Sequence, residues 1–507
     1  MNRRQFVHFS LSATALALLP QFKTMACDKH HLHHTAMYEN IPIAPPTALL
    51  PVEALANNMP LAPLTLLTNE SKQENVFKAK LVVKRHNIEL VKGKPTEFFT
   101  YNGYIPGQLI IANEGDRIEL ELHNQLDEPT TLHCHGLPAP SDQDGNPQDP
   151  VEPGQSRIYQ FTLPKGCAGT YWYHTHAHGL TASQAYKGLA GAFIVKAKDD
   201  PLSFLPEQHW LISDLRLDNN AQIPGNEVFD WINGREGQFT LINGQRQPKI
   251  TLTGQERIRI WNACSAKYLR LAIPHCEFIV VGTDGGLLEQ PQSPVSELLL
   301  APAERYEVIV KIHQTGQTNL QNLPYNRGKM FVPFEPITQT LANIELTPQQ
   351  ELVIPNKLRQ IDDFGAITAQ KEVTFVERQH HHIDWENLSE QETQDILKNM
   401  FLVNGKTYDM NRVDLVSKVN EVEEWSIFNI SHMDHPFHIH GTQFIVLEHI
   451  FEDKSYKPVK ALKDTVNIRP YELVKIKIVQ RQKGLRMFHC HILEHENLGM
   501  MAQLNVV

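Results

Sequence analysis

The stretch MFHCHILEHENLGMM, Met487 to Met501, sets Cys490 between His489 and His491, with His495 five residues on and Met500 ten residues on. Thiolate, imidazole and thioether are the soft and borderline donors that hold copper or zinc. In a strand, alternate side chains face opposite sides, so His489 and His491 aim one way and Cys490 the other. The sulfur can then meet His495, Met500 and His435 from an earlier motif. Two imidazoles, one thiolate and a weak thioether describe a trigonal blue-copper site with axial Met. Zinc does not call for the Met and usually takes four strong ligands. Copper fits better. Cys490 also makes a wire, since an electron reaching it can leave through the backbone into His489 and His491.

Those two belong to a wider set of four His-x-His pairs: His133/His135, His174/His176, His438/His440 and His489/His491. One such pair on an exposed strand means little. Eight imidazoles in repeated context are too many for one ion and suit a cluster. TTLHCHGL and YWYHTHAHG lie in the first third of the chain, HPFHIHG and MFHCHILEH in the last, and the middle third has none. The outer thirds must therefore face each other to share the metals.

The elements that position these residues read as strands. RIELELH (117–123), AGAFIVKA (190–197), ERYEVIVKI (304–312) and ELVKIKIV (472–479) alternate or run apolar with β-branched residues, between Gly, Pro and Asn/Asp turns. One helix is expected, over LSEQETQDILKNM (388–400), where Ser389 and Glu392 form a capping box. With 507 residues and a prior of roughly one domain per ~150, this predicts an all-β chain of three β-sandwich domains: 67–198, 199–350 and 351–507.

At this point the chain resembles the multicopper oxidase family, over essentially its whole mature length. TDGG (283–286) with APAERYEVIV is similar to a middle cupredoxin domain, and KDTV (463–466) to a third-domain segment. The resemblance implies three cupredoxin-like Greek-key sandwiches and four copper ions. A type 1 copper would sit on His435, Cys490, His495 and Met500. A type 2 copper would sit on His133 and His438, and a type 3 pair on His135, His174, His176, His440, His489 and His491. It further implies one-electron oxidation of a reductant at type 1 and reduction of O2 to water at the other three. Asp144 and Glu496 match family positions proposed to relay protons, the plain alternative being a turn aspartate and a solvated glutamate. His178 is a candidate hydrogen-bond partner for a ligand.

YNGYIPG, DGNPQ and HPFHIHGTQF look most like bacterial periplasmic copper-efflux oxidases and laccases. There are two departures. Cys134 stands between the first pair of histidines in place of the usual Trp, and reads as a packing or disulfide residue. The Met-rich insertion that gathers cuprous ions is absent, its place at 379–400 taken by His380, His381, His382 and an acidic helix. That leaves Met433 and Asp434 as the docking pair for a metal substrate, and predicts a laccase-like range: phenolic reductant, metal-ion reductant, or both.

The remaining features bound the setting. A net charge of −10 gives no reason to expect nucleic acid. Arg3-Arg4 before a short apolar run reads as a twin-arginine signal, 1–26, which predicts export to the periplasm without stable membrane insertion. An arm over 27–66 follows, with DKHHLHH and then dense proline, which disfavours regular structure. Cys134, Cys167, Cys264 and Cys276 permit three pairings. A monomeric oxidase is expected; the competing reading is a copper-sequestering periplasmic protein with little turnover.

Overall fold

The computed structural model describes residues 40–349, 352–378, 383–385 and 387–507. The signal, the DKHHLHH run and His380 to His382 lie outside the described residues.

Among the described residues, six sheets form three sandwiches. In the first, the sheet Lys94–Tyr101, Val76–Val91, Arg117–Asn124, Ser156–Thr162 faces the sheet Gly107–Asn113, Ala190–Lys196, Gly169–His174, His133–His135. Leu81, Phe99 and Leu120 from one face meet Ile110, Tyr171 and Phe193 from the other. The alternation that made Arg117–Asn124 legible is the reason it sits there: Ile118, Leu120 and Leu122 are buried while Arg117 is exposed and Glu119 and Glu121 are part-exposed. The second sandwich packs a seven-stranded sheet on a five-stranded one around Trp210, Ile258, Val308, Leu271 and Ile344. The third packs six strands on five around Trp425, Ile476, Phe437 and Phe488.

One topology is used three times. The opening strand of each sandwich runs parallel to a later neighbour: Val76–Val91 to Arg117–Asn124, Glu207–Leu215 to Arg257–Asn262, Ala369–Glu377 to Val422–Ile430. Each facing sheet holds a parallel pair as well, and the hairpins between are antiparallel. This is the crossing, cupredoxin-like Greek key the motifs implied.

Among the described residues α-helices are few: α1 (Thr181–Tyr186), α2 (Val228–Asn233), α3 (Glu390–Lys398) and α4 (Leu493–Asn497). α3 is the expected helix, with Ser389 Oγ accepting from Glu392 N–H and Glu392 accepting from Ser389 N–H. The other three span five or six residues, too short to print a helical period in the sequence. α4 carries His495 and Glu496. The proline-rich stretch has no long strand, as expected, but it is tied down: Ile41 N–H donates to Gln394 Oε1, and Trp231 Nε1–H to the Pro42 carbonyl.

The repeated motifs lie on neighbouring strands. His133 pairs with His174 in the first sandwich, and His438 with His489 in the third. Between the sandwiches, Ser141 Oγ–H donates to the Leu485 carbonyl and Arg486 reaches Asp144 at 3.4 Å.

Candidate metal centre

His133 and His135 share one short strand, while His174, His438 and His489 lie at or near strand ends with His176, His440 and His491 just beyond, and all eight imidazoles turn into the seam between the first and third sandwiches. Among the described residues three all-imidazole groups result, in each of which the donor atoms lie within 4.8 Å of one another: His133/His438/His440, His135/His174/His491 and His176/His440/His489; a further group joins His135 and His438 to Asp464. Every group draws on both sandwiches. His489 Nε2 lies 3.3 Å from His176 Nε2 and 3.2 Å from His440 Nε2. His133 stacks on His440 at 3.8 Å, and His135 on His438 at 3.7 Å.

All eight rings are fully buried. Burial first, then the neighbouring imidazoles, holds His135, His174, His176, His438, His440 and His491 well below the ordinary histidine value, and burial pushes His489 down to about 3. They are neutral donors. Backbone carbonyls orient them: Nδ1–H of His133, His174, His438 and His489 donates to Asp144, Thr175, Asp464 and Cys490 at 2.6–2.9 Å. The Nε2 atoms of His133, His135, His174, His438 and His491 have no hydrogen bond within the protein. Buried polar atoms are seldom left so, and inward-facing lone pairs on neutral rings fit metal cations.

On the other side of the strand Gly484–Cys490 lies a separate group, His435/Cys490/His495. His435 Nδ1 is 3.3 Å from Cys490 Sγ and 3.3 Å from His495 Nδ1. Met500 is held alongside, its carbonyl accepting from Cys490 N–H and its N–H donating to the His495 carbonyl. The outer nitrogens are fixed too: His495 Nε2–H donates to the Ile232 carbonyl at 3.0 Å, and His435 Nε2 meets Ser431 Oγ at 3.0 Å and Glu377 at 3.4 Å. Burial pushes the Cys490 thiol well above its ordinary value, so a thiolate there needs a cation beside it. The donor set suits copper.

Neither proposed proton donor is solvated. Asp144 Oδ1 lies 3.3 Å from His133 and Oδ2 3.6 Å from His440; Glu496 spans His176 at 3.5 Å and His489 at 3.3 Å. Burial pushes the Glu496 carboxyl up to about 8.

Two residues escaped the sequence reading. Asp464, within the quoted KDTV, reaches His135 at 3.3 Å and takes two hydrogen bonds from Arg305, of 2.7 and 2.5 Å. It sits so close to Gly136 (φ +81°) that a Cβ there would be 1.9 Å from its Oδ2. Glu377 had no local signal at all. Burial raises its carboxyl, but hydrogen bonds from His432 and His435 outweigh that and hold it well below the carboxylate range.

Other expectations need correcting. Met433 and Asp434 are buried and cannot dock a metal ion from solvent: Arg327 contacts the Met433 sulfur, and Tyr325 and Asn467 donate to Asp434. His178 packs 5.9 Å from the Tyr408 ring and not on a cluster histidine. Cys134, Cys167, Cys264 and Cys276 are all buried free thiols, so none of the permitted pairings is formed, and Cys134 takes the packing role of its two readings, in the core of the first sandwich with Cys167.

Family models described as multicopper oxidase match residues 82–200, 167–320 and 378–507. The chain is 31% identical to the multicopper oxidase mco of Staphylococcus aureus, over 86% of this chain and 90% of that protein. It is 26% identical to the laccase of Bacillus subtilis, over 90% and 99%. Among solved structures, the multicopper oxidase from Campylobacter jejuni, described as a metallo-oxidase, superposes with a TM-score of 0.90 at 49% identity, covering 92% of this chain and 99% of that one.

Proposed function

The chain belongs to the multicopper oxidase family, and from that premise we propose how its residues divide the work of coupling one-electron oxidation of a reductant to reduction of O2. His435, Cys490, His495 and Met500 hold the type 1 copper. His133 and His438 hold the type 2 ion. His135, His174 and His491 hold one type 3 ion, and His176, His440 and His489 the other. The observation that carries this reading is the grouping of the imidazoles into sets that each join both outer sandwiches, with the Cys490 group one residue away. Copper held by His435, Cys490, His495 and Met500 would supply a one-electron acceptor for the reductant, and copper held by the eight cluster histidines would supply the four-electron reduction of O2, with four protons, to two waters.

The chain's own part is to orient, shield and supply protons. The carbonyls on Nδ1 of His133, His174, His438 and His489 fix which nitrogen those four rings present. Complete burial keeps bulk water off the ligands. Asp144 and Glu496, each against two cluster histidines, act as proton donors. His489 and His491 flank Cys490, so the path from one site to the other is two covalent routes through a single residue.

We take the reductant to be phenolic, cuprous, or both. Both type 1 histidines are fully buried, so electrons enter through the atoms covering them and without direct ligand contact. The two leading arginines support periplasmic export, and among the described residues no helix is long and apolar enough to cross a membrane. We read the mature chain as a monomer with domains 67–198, 199–350 and 351–507. Oxygen uptake by the copper-loaded protein, with Cu(I), Fe(II) and a phenol side by side, tests the reading. Uptake with at least one is expected; copper bound without uptake from any of them would favour sequestration.

A further inference from the structure

The second sandwich supplies none of the proposed copper ligands, yet one of its side chains reaches the cluster. Arg305, which opens the strand Arg305–Ile312, is fully buried and uses all five of its N–H donors. Nε–H donates to the Thr170 carbonyl of the first sandwich at 2.8 Å. Nη1 donates to the Ala303 carbonyl at 2.8 Å and to Asp464 Oδ1 at 2.7 Å. Nη2 donates to the Asp284 carbonyl at 3.4 Å and to Asp464 Oδ2 at 2.5 Å. One guanidinium thus touches all three sandwiches. Asp284, from the TDGG stretch, braces the contact. Its Oδ1 accepts from Arg305 N–H at 2.8 Å, and its Oδ2 from the N–H groups of Asp464 and Thr465 at 3.3 and 3.4 Å.

What Asp464 faces gives the clamp its importance. The Asp464 carbonyl accepts from His438 Nδ1–H at 2.8 Å, and Oδ1 lies 3.3 Å from His135 Nδ1 and 3.8 Å from His438 Nδ1. His135, His438 and Asp464 are fully buried, and their donor atoms fall within 4.8 Å of one another. Two imidazoles and a carboxylate are a sufficient protein set for zinc or ferrous ion. Such a site would take His135 from one proposed copper group and His438 from another. The carboxylate that orients the pair is therefore also a trap for the wrong ion. Arg305 closes the trap in two ways. Its fork engages both oxygens, and its positive charge, in a dry interior, opposes a cation on the same atoms.

We propose that Arg305 is a positioning residue for the cluster: it keeps Asp464 as an orienting partner of His135 and His438 and closes it as a ligand, so that zinc and similar divalent ions do not bind across that pair. The proposal rests on the copper assignment above. Lys cannot take the place of Arg here, since it keeps the charge but offers three donors on a flexible stem in place of a planar fork.

Zinc is the probe, because its absorption edge tells it apart from copper. Crystals of the metal-free full chain are soaked in zinc and anomalous maps are calculated at that edge. Wild type should show no zinc bound to an Asp464 oxygen. Arg305→Lys should show zinc on His135, His438 and Asp464, and adding Asp464→Asn to that variant should remove it. Should Arg305→Lys not fold, Asp284→Asn loosens the clamp from behind and should show the same zinc at lower occupancy. Loaded from a copper and zinc mixture, Arg305→Lys should carry about one zinc ion per chain and an altered type 2 electron paramagnetic resonance signal. A role in holding the sandwiches together and nothing more would lower Tm and leave zinc content and signal unchanged, which would overturn the proposal. Zinc on Asp464 in wild type would overturn it as well. A wild-type chain that takes up no copper would instead sink the copper assignment, and the zinc maps would still decide what Arg305 does.

Discussion

Cys490 is the residue on which both metal sites depend. Its thiol is buried and held above its ordinary value, so without a cation nearby it stays protonated. Ser at this position keeps the volume but removes the sulfur, and with it the charge-transfer colour of a copper thiolate. Cys490→Ser should therefore be colourless and inactive toward every reductant, while the cluster histidines still bind copper. A variant that remains blue would show that the type 1 assignment is wrong. In the proposed assignment, Asp144 and Glu496 act at the other end of the same electron path. Asp144→Asn and Glu496→Gln keep size and hydrogen bonding but cannot deliver a proton. Both should stay blue and be reduced normally by substrate, yet reoxidise roughly 10²-fold or more slowly, the usual weight of a positioned acid. If stopped-flow reoxidation at neutral pH matches wild type in both, the proton role goes.

At the scale of elements, what was legible followed strand geometry. The four His-x-His pairs and Cys490 could be assigned to opposite faces because alternation is local, and the structure places them so. The three sandwiches were legible from the same alternation and from the repeat. Contacts made by register between distant strands were not. Glu377 ends the strand Ala369–Glu377, whose parallel pairing with Val422–Ile430 brings it to His435, fifty-eight residues away in sequence. Nothing near residue 377 in the sequence announces that. α1, α2 and α4 were missed for another reason: single short turns owe their helicity to packing, and α2 is fixed by a Glu227/Asp230 capping box without an apolar period to reveal it. The Glu377 contact carries its own prediction. A buried carboxylate beside a type 1 ligand favours the more positive, oxidised metal, because charges in a dry interior interact strongly. Glu377→Gln should keep the blue colour and raise the type 1 potential by tens of millivolts in a spectroelectrochemical titration. An unchanged potential would make Glu377 merely a packing partner of His432 and His435.

For the whole molecule, the consequence of the site is mechanical as well as chemical. Each of the three imidazole groups takes ligands from 133–176 and from 438–491, so metals bound there tie the first sandwich to the third. The seam also has protein contacts of its own, Ser141 to Leu485 and Arg486 to Asp144, while Arg305 of the second sandwich grips Asp464 of the third. The metal-free chain should thus be folded but less stable. An ion that binds only the folded state adds about 2.7 kcal/mol when free metal is 100 times its dissociation constant, and several ions add up. Copper loading is expected to raise Tm by several degrees in calorimetry, and chelation to reverse it. Hydrogen exchange locates the effect: slower exchange should appear in both His133–His135 and Gly484–Cys490. Cys490→Ser, which loses one copper and keeps the shared ones, should retain most of the rise. Protection confined to the strands around Cys490 would mean that the cluster does not bridge the sandwiches.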